Sequence, residues 1–131
     1  MKRYKLTEKN MMTGLTYTPI RWEIGKEQEA SGQGGLCGSG WIHVYTNPVL
    51  AVMLNPIHAD FINPRIFECE CEGKSKTDHG LKEGWTKVTL TKELPLPEIT
   101  IEQGIKFAIL CTKKVYTDSA WIRWAEDWVS G

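Results

Sequence analysis

Hydrophobic and polar residues alternate in short runs along the first two thirds of the chain. The clearest run covers residues 65–73, where Phe67, Cys69 and Cys71 alternate with glutamates. Alternation with a period of two predicts a strand that buries one of its faces. Similar runs predict further strands at residues 2–6, 20–24, 41–45 and 85–94.

A helix is predicted directly after the strand at residues 41–45. Asn47 suits the N-cap, and Pro48 suits the first helical position, where its missing N–H costs nothing. The apolar run that follows ends at Asn55, because a residue that precedes a proline avoids the helical region. Such strand-to-helix junctions often hold ligands, since side chains and helix N–H groups converge there.

Two further helices are predicted near the end of the chain. Thr100 and Gln103 form a capping box before a run with helical spacing, and Asp118 caps the last helix. Three tryptophans lie on one face of that last helix: Trp121, Trp124 and Trp128. This tryptophan face either packs on the sheet as core or forms an interface with a partner or a second copy, because aromatic anchors dominate interface energetics.

Together these elements predict an α+β fold. It has a mixed or antiparallel sheet of about five strands, one helix after Asn47 and two C-terminal helices. A length of 131 residues suits a single domain, with a sheet-rich core at residues 1–97 and a helical pair at 98–131. Three segments are predicted to lack regular structure: a turn at residues 10–17, a glycine-rich loop at 25–40 and a charged, mobile stretch at 74–84.

The composition limits the expected partners. Basic and acidic residues number 16 each, so nucleic-acid binding through bulk electrostatics is not expected. No apolar run approaches the roughly 20 residues that span a bilayer, which favours a cytoplasmic protein without membrane contact. The 4 cysteines are expected to be reduced, and their spacings match no standard zinc pattern. We therefore expect neither a metal ion nor a cofactor.

The strand at residues 41–45 carries the first candidate for function. Trp41, His43 and Tyr45 share one face of it, beside the glycine-rich loop. An exposed histidine and tyrosine there can hold a ligand, with the aromatic rings stacking and the imidazole binding or moving a proton. Asn47 and Glu70 are also predicted to contact the ligand. The alternative is a structural histidine that bonds to a nearby backbone carbonyl.

A row of glutamates accompanies the strand at residues 65–73. Glu68, Glu70 and Glu72 alternate with its apolar residues and form either a solvated face or a source of chemistry. In the second interpretation one carboxylate lies across a cleft from His43, where it acts as a general base or binds a ribose hydroxyl.

The segment around His43 resembles an uncharacterised family of small phage and prophage proteins. The resemblance rests on Leu36-Cys37, on Gly40-Trp41-Ile42-His43, on the Asn47-Pro48 helix start and on the strand from Arg65 to Glu70. It implies a phage-encoded protein. With His43 and Tyr45 as the ligand site, we expect a non-enzymatic accessory protein in the host cytoplasm. Its partner would be a host macromolecule or a small nucleotide, and its role would be to counter host defence.

A second resemblance gives the alternative function. Residues 40–46 are similar to the Gly-aromatic-Ile-His-x-x-Thr strand of small ADP-ribosyltransferase-like domains. This resemblance implies an NAD-dependent enzyme, in which His43 and Tyr45 bind NAD and one glutamate of the row is catalytic. In such domains a tyrosine lies in the following helix, and here none does.

Overall fold

The computed structural model describes residues 1–14 and 18–131. Strands and helices follow one another along the chain as β1 (Lys2–Thr7), β2 (Met12–Thr13), β3 (Ile20–Arg21), β4 (Glu27–Glu29), β5 (Ile42–Val44), α1 (Pro48–Leu54), β6 (Arg65–Asp78), β7 (Lys82–Leu94), α2 (Ile101–Lys113) and α3 (Ser119–Ser130). The chain divides into two compact units, Met1–Pro97 and Glu98–Gly131. That both belong to one domain stays a prediction.

The predicted α+β fold is confirmed. Strands β1, β6, β7, β4 and β5 form a five-stranded antiparallel sheet, while β2 and β3 form a separate pair. The sheet is built on the long hairpin of β6 and β7, which has the alternating pattern of the two clearest predicted strands. No helix among the described residues is both long enough and apolar enough to cross a membrane.

The tip of the β6–β7 hairpin corrects one prediction. The charged stretch at residues 74–84 was expected to be mobile, which is wrong, because pairing continues there from Ser75 and Trp85 to Asp78 and Lys82. Its β6 side is exposed on both faces, so it shows no hydrophobic alternation. Backbone hydrogen bonds to β7 hold this part of β6 in place. Such bonds cannot be predicted from the pattern of hydrophobic and polar side chains.

Four strands close into a ring of backbone hydrogen bonds. Strands β1, β6, β7 and β5 pair in that order. Tyr45, which directly follows β5, closes the ring through two backbone hydrogen bonds of 2.9 and 2.8 Å with Tyr4 of β1. A buried cluster forms the core: Trp22, Ile42, Val44, Phe67, Cys69, Cys71, Val88 and Leu90. Trp22 also donates its indole N–H to the hydroxyl of Thr13 at 2.8 Å.

Helix α1 begins and ends as its sequence predicts. The Asn47 side chain accepts hydrogen bonds from the backbone of Val49 and Leu50, Pro48 follows the cap, and Asn55 is the C-cap. Ala51 and Leu54 form the buried side of the helix, which lies near β1. The cap fixes the direction in which the chain leaves β5.

Short strands also occur where loops were expected. The predicted turn at residues 10–17 contains β2, although Leu15, Thr16 and Tyr17 lie outside the described residues. The predicted loop at 25–40 contains β4, which pairs with β7 through Glu27, Gln28 and Glu29. These strands have two or three residues each, too few to show a period.

The second unit is a pair of helices with the predicted caps. Thr100 and Gln103 form the capping box of α2, and Asp118 accepts from the Trp121 backbone at the start of α3. Ile109 of α2 and Ala125 of α3 are buried. Of the tryptophan face, Trp124 is exposed, whereas Trp121 and Trp128 are half-buried. Its role as an interface stays a prediction.

Candidate functional site

Three segments meet at the face of β5 that carries His43. They are the glycine-rich loop before β5, the turn after α1 and the tip of the β6–β7 hairpin. Hydrogen bonds join Tyr45 to His58 and Lys82 to Cys37, and the charges of Lys82 and His58 act on the His43 ring. These five side chains are here named the β5 cluster: Cys37, His43, Tyr45, His58 and Lys82. The cluster places thiol, imidazole, phenol and ammonium groups together on one side of the first unit.

His43 is held by the glycine-rich loop. Its Nε2 hydrogen-bonds with the Leu36 carbonyl, and because a carbonyl only accepts, Nε2 carries the hydrogen. Burial lowers the pKa of His43 to about 4, with smaller contributions from the charges of Lys5 and Lys82, while the bond to Leu36 opposes the shift. His43 is therefore neutral at pH 7. Its backbone carbonyl accepts from Lys5 Nζ at 2.8 Å.

Tyr45 and His58 form the second pair in the cluster. The Tyr45 hydroxyl lies 2.6 Å from His58 Nδ1, and the two rings stack with their centroids 5.8 Å apart. Burial raises the pKa of Tyr45 to about 12, so the phenol keeps its proton and donates it to Nδ1. The neutral His58 ring then carries its own hydrogen on Nε2. Since His58 is exposed, this N–H is available to an acceptor outside the chain.

The pKa of His58 shows the sign of the local potential. Burial lowers this pKa first, the positive charge of Lys82 lowers it further, and Asp78 opposes both. Lys82 also lowers the pKa of His43. The charge of Lys82 thus acts on both histidines, and it would attract an anion that approached them.

Lys82 contributes to the positive potential at both histidines. The residue is only 8% exposed, and its Nζ donates to Cys37 Sγ at 3.6 Å. No carboxylate of residues 1–14 and 18–131 forms an ion pair with it. A buried ammonium normally has an anionic or oxygen partner, because burial without one is costly. In Lys82 this place is taken by sulfur, which is a weak acceptor.

The carbonyl oxygens of the glycine-rich loop accept hydrogen bonds from neighbouring side chains. The Gly34 carbonyl accepts from the Trp41 indole at 3.2 Å and from Lys76 Nζ at 2.8 Å, just as Leu36 accepts from His43. Lys76 also covers the Trp41 ring, 5.1 Å from its centroid. The loop thus uses carbonyl oxygens to hold the side chains of Trp41 and His43.

The ring of Tyr45 is buried, so its expected exposure is wrong, and the ring of Trp41 is buried as well. The loop and Lys76 cover Trp41, and burial of Tyr45 places only its hydroxyl against His58. Asn47 uses its side-chain oxygen to cap α1. That these residues contact a ligand stays a prediction, but neither ring is free to stack on one.

Glu70 lies away from these contacts. In the β6 register it stands opposite Lys2 of β1 and Thr89 of β7, and no hydrogen bond among the described residues joins it to His43 or Tyr45. Its neighbour Glu68 forms an ion pair of 3.0 Å with Lys2. These contacts are typical of a charged, solvated sheet face.

Within the described ranges, no group of three or more metal-ligating side chains could hold a metal ion.

Comparison with known proteins gives a family and no function. The profile of a family described as a domain of unknown function (DUF7666) matches residues 1–102. The chain belongs to this family. Searches of curated proteins and of solved structures gave no match. The DUF7666 match covers the whole first unit, including the β5 cluster, and it agrees with the expectation of an uncharacterised family.

Sequence reasoning found two of the five cluster residues in this DUF7666 chain. His43 and Tyr45 were predicted, and Cys37 was considered only as a metal ligand. His58 and Lys82 were missed. His58 had one signal, because it follows the predicted end of α1 at Asn55, where the chain must turn back. Lys82 had none, since it lies in the stretch that was expected to be mobile.

Proposed function

We propose that this protein is a non-enzymatic accessory protein that binds a small nucleotide at the β5 cluster through an anionic phosphate. The single observation that carries the proposal is Lys82, a residue that is only 8% exposed and whose ammonium has, among the described residues, only a thiol as partner. A phosphate oxygen would supply the strong acceptor that Lys82 lacks. It would also meet the positive charge of Lys82, which adds to the effect of burial in lowering the pKa values of both cluster histidines.

His58 supports the choice of a nucleotide over a simple anion. One side of its exposed ring is stacked by Tyr45, which holds the imidazole in place. The rest of the ring and the Nε2 N–H remain available for a ligand, so the same residue can stack on a base or donate to a phosphate. A flat ring beside a cation suits a ligand that has both a base and a phosphate.

The geometry favours binding over ADP-ribosyl transfer. A transferase would need a carboxylate beside the NAD site. Of the three candidate glutamates, Glu68 and Glu70 form ion pairs on the β1 side of β6, and Glu72 stands opposite Lys87 of β7. Glu83 of β7 forms an ion pair with Arg3 at 2.6 Å, and its pKa is lowered despite burial because Arg3 and Trp85 donate to it. A carboxylate in that state is a poor general base.

The biological setting is part of the same proposal. The resemblance of residues 36–51 to small phage and prophage proteins supports a phage-encoded protein that acts in the cytoplasm of the host cell. A phage protein that sequesters a nucleotide could remove a signal that the host uses for defence. A host macromolecule is the other partner class that the sequence predicts.

Thermal unfolding with a panel of nucleotides tests the proposal. The panel contains NAD, AMP, ADP and cyclic nucleotides. A ligand at 100 times its Kd is expected to stabilise the protein by about 2.7 kcal/mol. In the Lys82→Met variant we expect binding to weaken by at least about tenfold, because a hydrogen bond between charged groups is lost.

Lys92→Met is the matched control. Lys92 lies on the same strand as Lys82 but is exposed and pairs with Glu68 in the β6 register, so its loss should leave binding unchanged. If no nucleotide stabilises the protein at millimolar concentration, the proposal is wrong and a host macromolecule becomes the partner to seek. Equal losses in both variants would also contradict it, since they would indicate nonspecific charge attraction.

A further inference from the structure

The Cys37 thiol has an unusual position for an exposed cysteine. It lies in a tight turn, in which the Gly38 N–H bonds to the Gly35 carbonyl at 3.0 Å, and the adjacent Leu36 carbonyl is anchored by His43. The sulfur is therefore accessible to solvent while its backbone is fixed on both sides. An accessible thiol in a fixed position can react without a change of fold.

Lys82 is the independent observation that gives this thiol a chemistry. Lys82 is 8% exposed, its Nζ lies 3.6 Å from Cys37 Sγ, and no described oxygen accepts its hydrogens. A neighbouring ammonium stabilises the negative charge of a thiolate, which is the nucleophilic form of cysteine. It would also gain if the sulfur acquired an oxygen, because an oxygen anion is a stronger acceptor than sulfur.

We propose that Cys37 is a site of covalent modification by small peroxides, and that Lys82 promotes the reaction by binding first the sulfur and then the new oxygen. The thiol gives its proton to water, and the thiolate attacks one oxygen of hydrogen peroxide. A sulfur–oxygen bond forms as the oxygen–oxygen bond breaks. The sulfur loses two electrons, and the leaving hydroxide takes a proton to form water. The product is a sulfenic acid, which reacts with thiols and is therefore reversible.

The chain contains an internal control for this reactivity. Cys111 of α2 is also exposed, but no described side chain bonds to its sulfur. Cys69 and Cys71 are buried in the core and should not react while the protein is folded. The rates at Cys37 and Cys111 can thus be compared in the same molecule under the same conditions.

Trapping of sulfenic acid with dimedone, read by peptide mass spectrometry, tests the proposal on the whole chain. After brief exposure to hydrogen peroxide we expect Cys37 to be labelled roughly ten times faster than Cys111. The ratio should fall to about one in Lys82→Met and recover in part in Lys82→Arg, because arginine keeps the charge but has a different shape. In urea the wild-type ratio should also approach one.

Two results would overturn the proposal. One is a ratio near one between the labelling rates of Cys37 and Cys111 in the folded wild-type protein. This result needs no variant, so it can be obtained even if Lys82→Met does not fold. The other is an unchanged ratio in a folded Lys82→Met protein. Because labelling is measured without nucleotide, its outcome is independent of the proposed function.

Discussion

Lys5 occupies a position where lysine is rarely found. Its residue is 7% exposed, its Nζ lies 5.4 Å from the centre of the Trp22 ring, and its hydrogen bond goes to the His43 carbonyl. Burial lowers the pKa of Lys5 to about 8, although Cys69 and Cys71 oppose the shift. The protein thus keeps a charge in its core at neutral pH, next to the strand that carries the β5 cluster.

This charge should make stability rise with pH. Between pH 8 and 10.5 the unfolded chain binds a proton at Lys5 that the folded chain does not, so the free energy of unfolding increases across that range. We expect wild type to gain about 3 kcal/mol relative to Lys5→Met between pH 7 and 10.5. Urea unfolding at a series of pH values measures the difference. If the stability difference between wild type and Lys5→Met changed with pH as little as the difference between wild type and Lys92→Met, Lys5 would not be buried as a cation.

At the scale of elements, the close approach of the glycine-rich loop to β7 depends on Gly84. Gly84 stands opposite His43 in the β5–β7 register. A Cβ at this position would lie 2.6 Å from Leu36 Cδ1 and 2.8 Å from Trp41 Cβ. Only glycine therefore lets the loop and β5 pack on β7 in this way.

Gly84→Ala should consequently destabilise the first unit by about 1–3 kcal/mol, since the loop must move away from the strand. Gly35→Ala is the matched control, because nothing lies within 4 Å of its added Cβ, and its effect should stay within about 0.5 kcal/mol. Chemical denaturation of both variants gives the comparison. Equal stability of the two variants would contradict the packing of Leu36 and Trp41 on Gly84.

The elements that could be predicted are those whose cause is local. The Asn47 cap and the alternation at Phe67, Cys69 and Cys71 lie within a few residues of what they determine, so α1 and the core part of β6 were predicted correctly. The hairpin tip was not, because its polar strands depend on pairing between Ser75 and Trp85. Local patterns carry no information on such pairing.

The same distinction explains the candidate site. His43 and Tyr45 share a strand face by simple geometry, and this could be predicted. Their partners could not, since His58 and Lys82 reach the cluster from other segments of the chain. The burial of Tyr45 and Trp41 was also missed, because it results from the same convergence of loops.

At the scale of the whole molecule, the buried core cluster lies entirely within residues 1–97. We therefore expect a chain that ends at Pro97 to unfold cooperatively, with a free energy of unfolding within about 1 kcal/mol of the full chain. Urea denaturation and the dispersion of amide signals in NMR spectra test this. Loss of the cooperative transition would show instead that residues 98–131 are needed for the fold, as a single domain requires.

The ring of strands has a consequence for the order of folding. Strand β1 pairs with β6 residues that lie roughly 60 positions later, whereas β6 and β7 are joined by a tight turn. Closing the longer loop costs more chain entropy, so we expect the hairpin to form first and β1 to join it last. During synthesis β1 leaves the ribosome well before its partner exists. Strand β1 would then wait, unpaired, until the residues of β6 (Arg65–Asp78) have been translated.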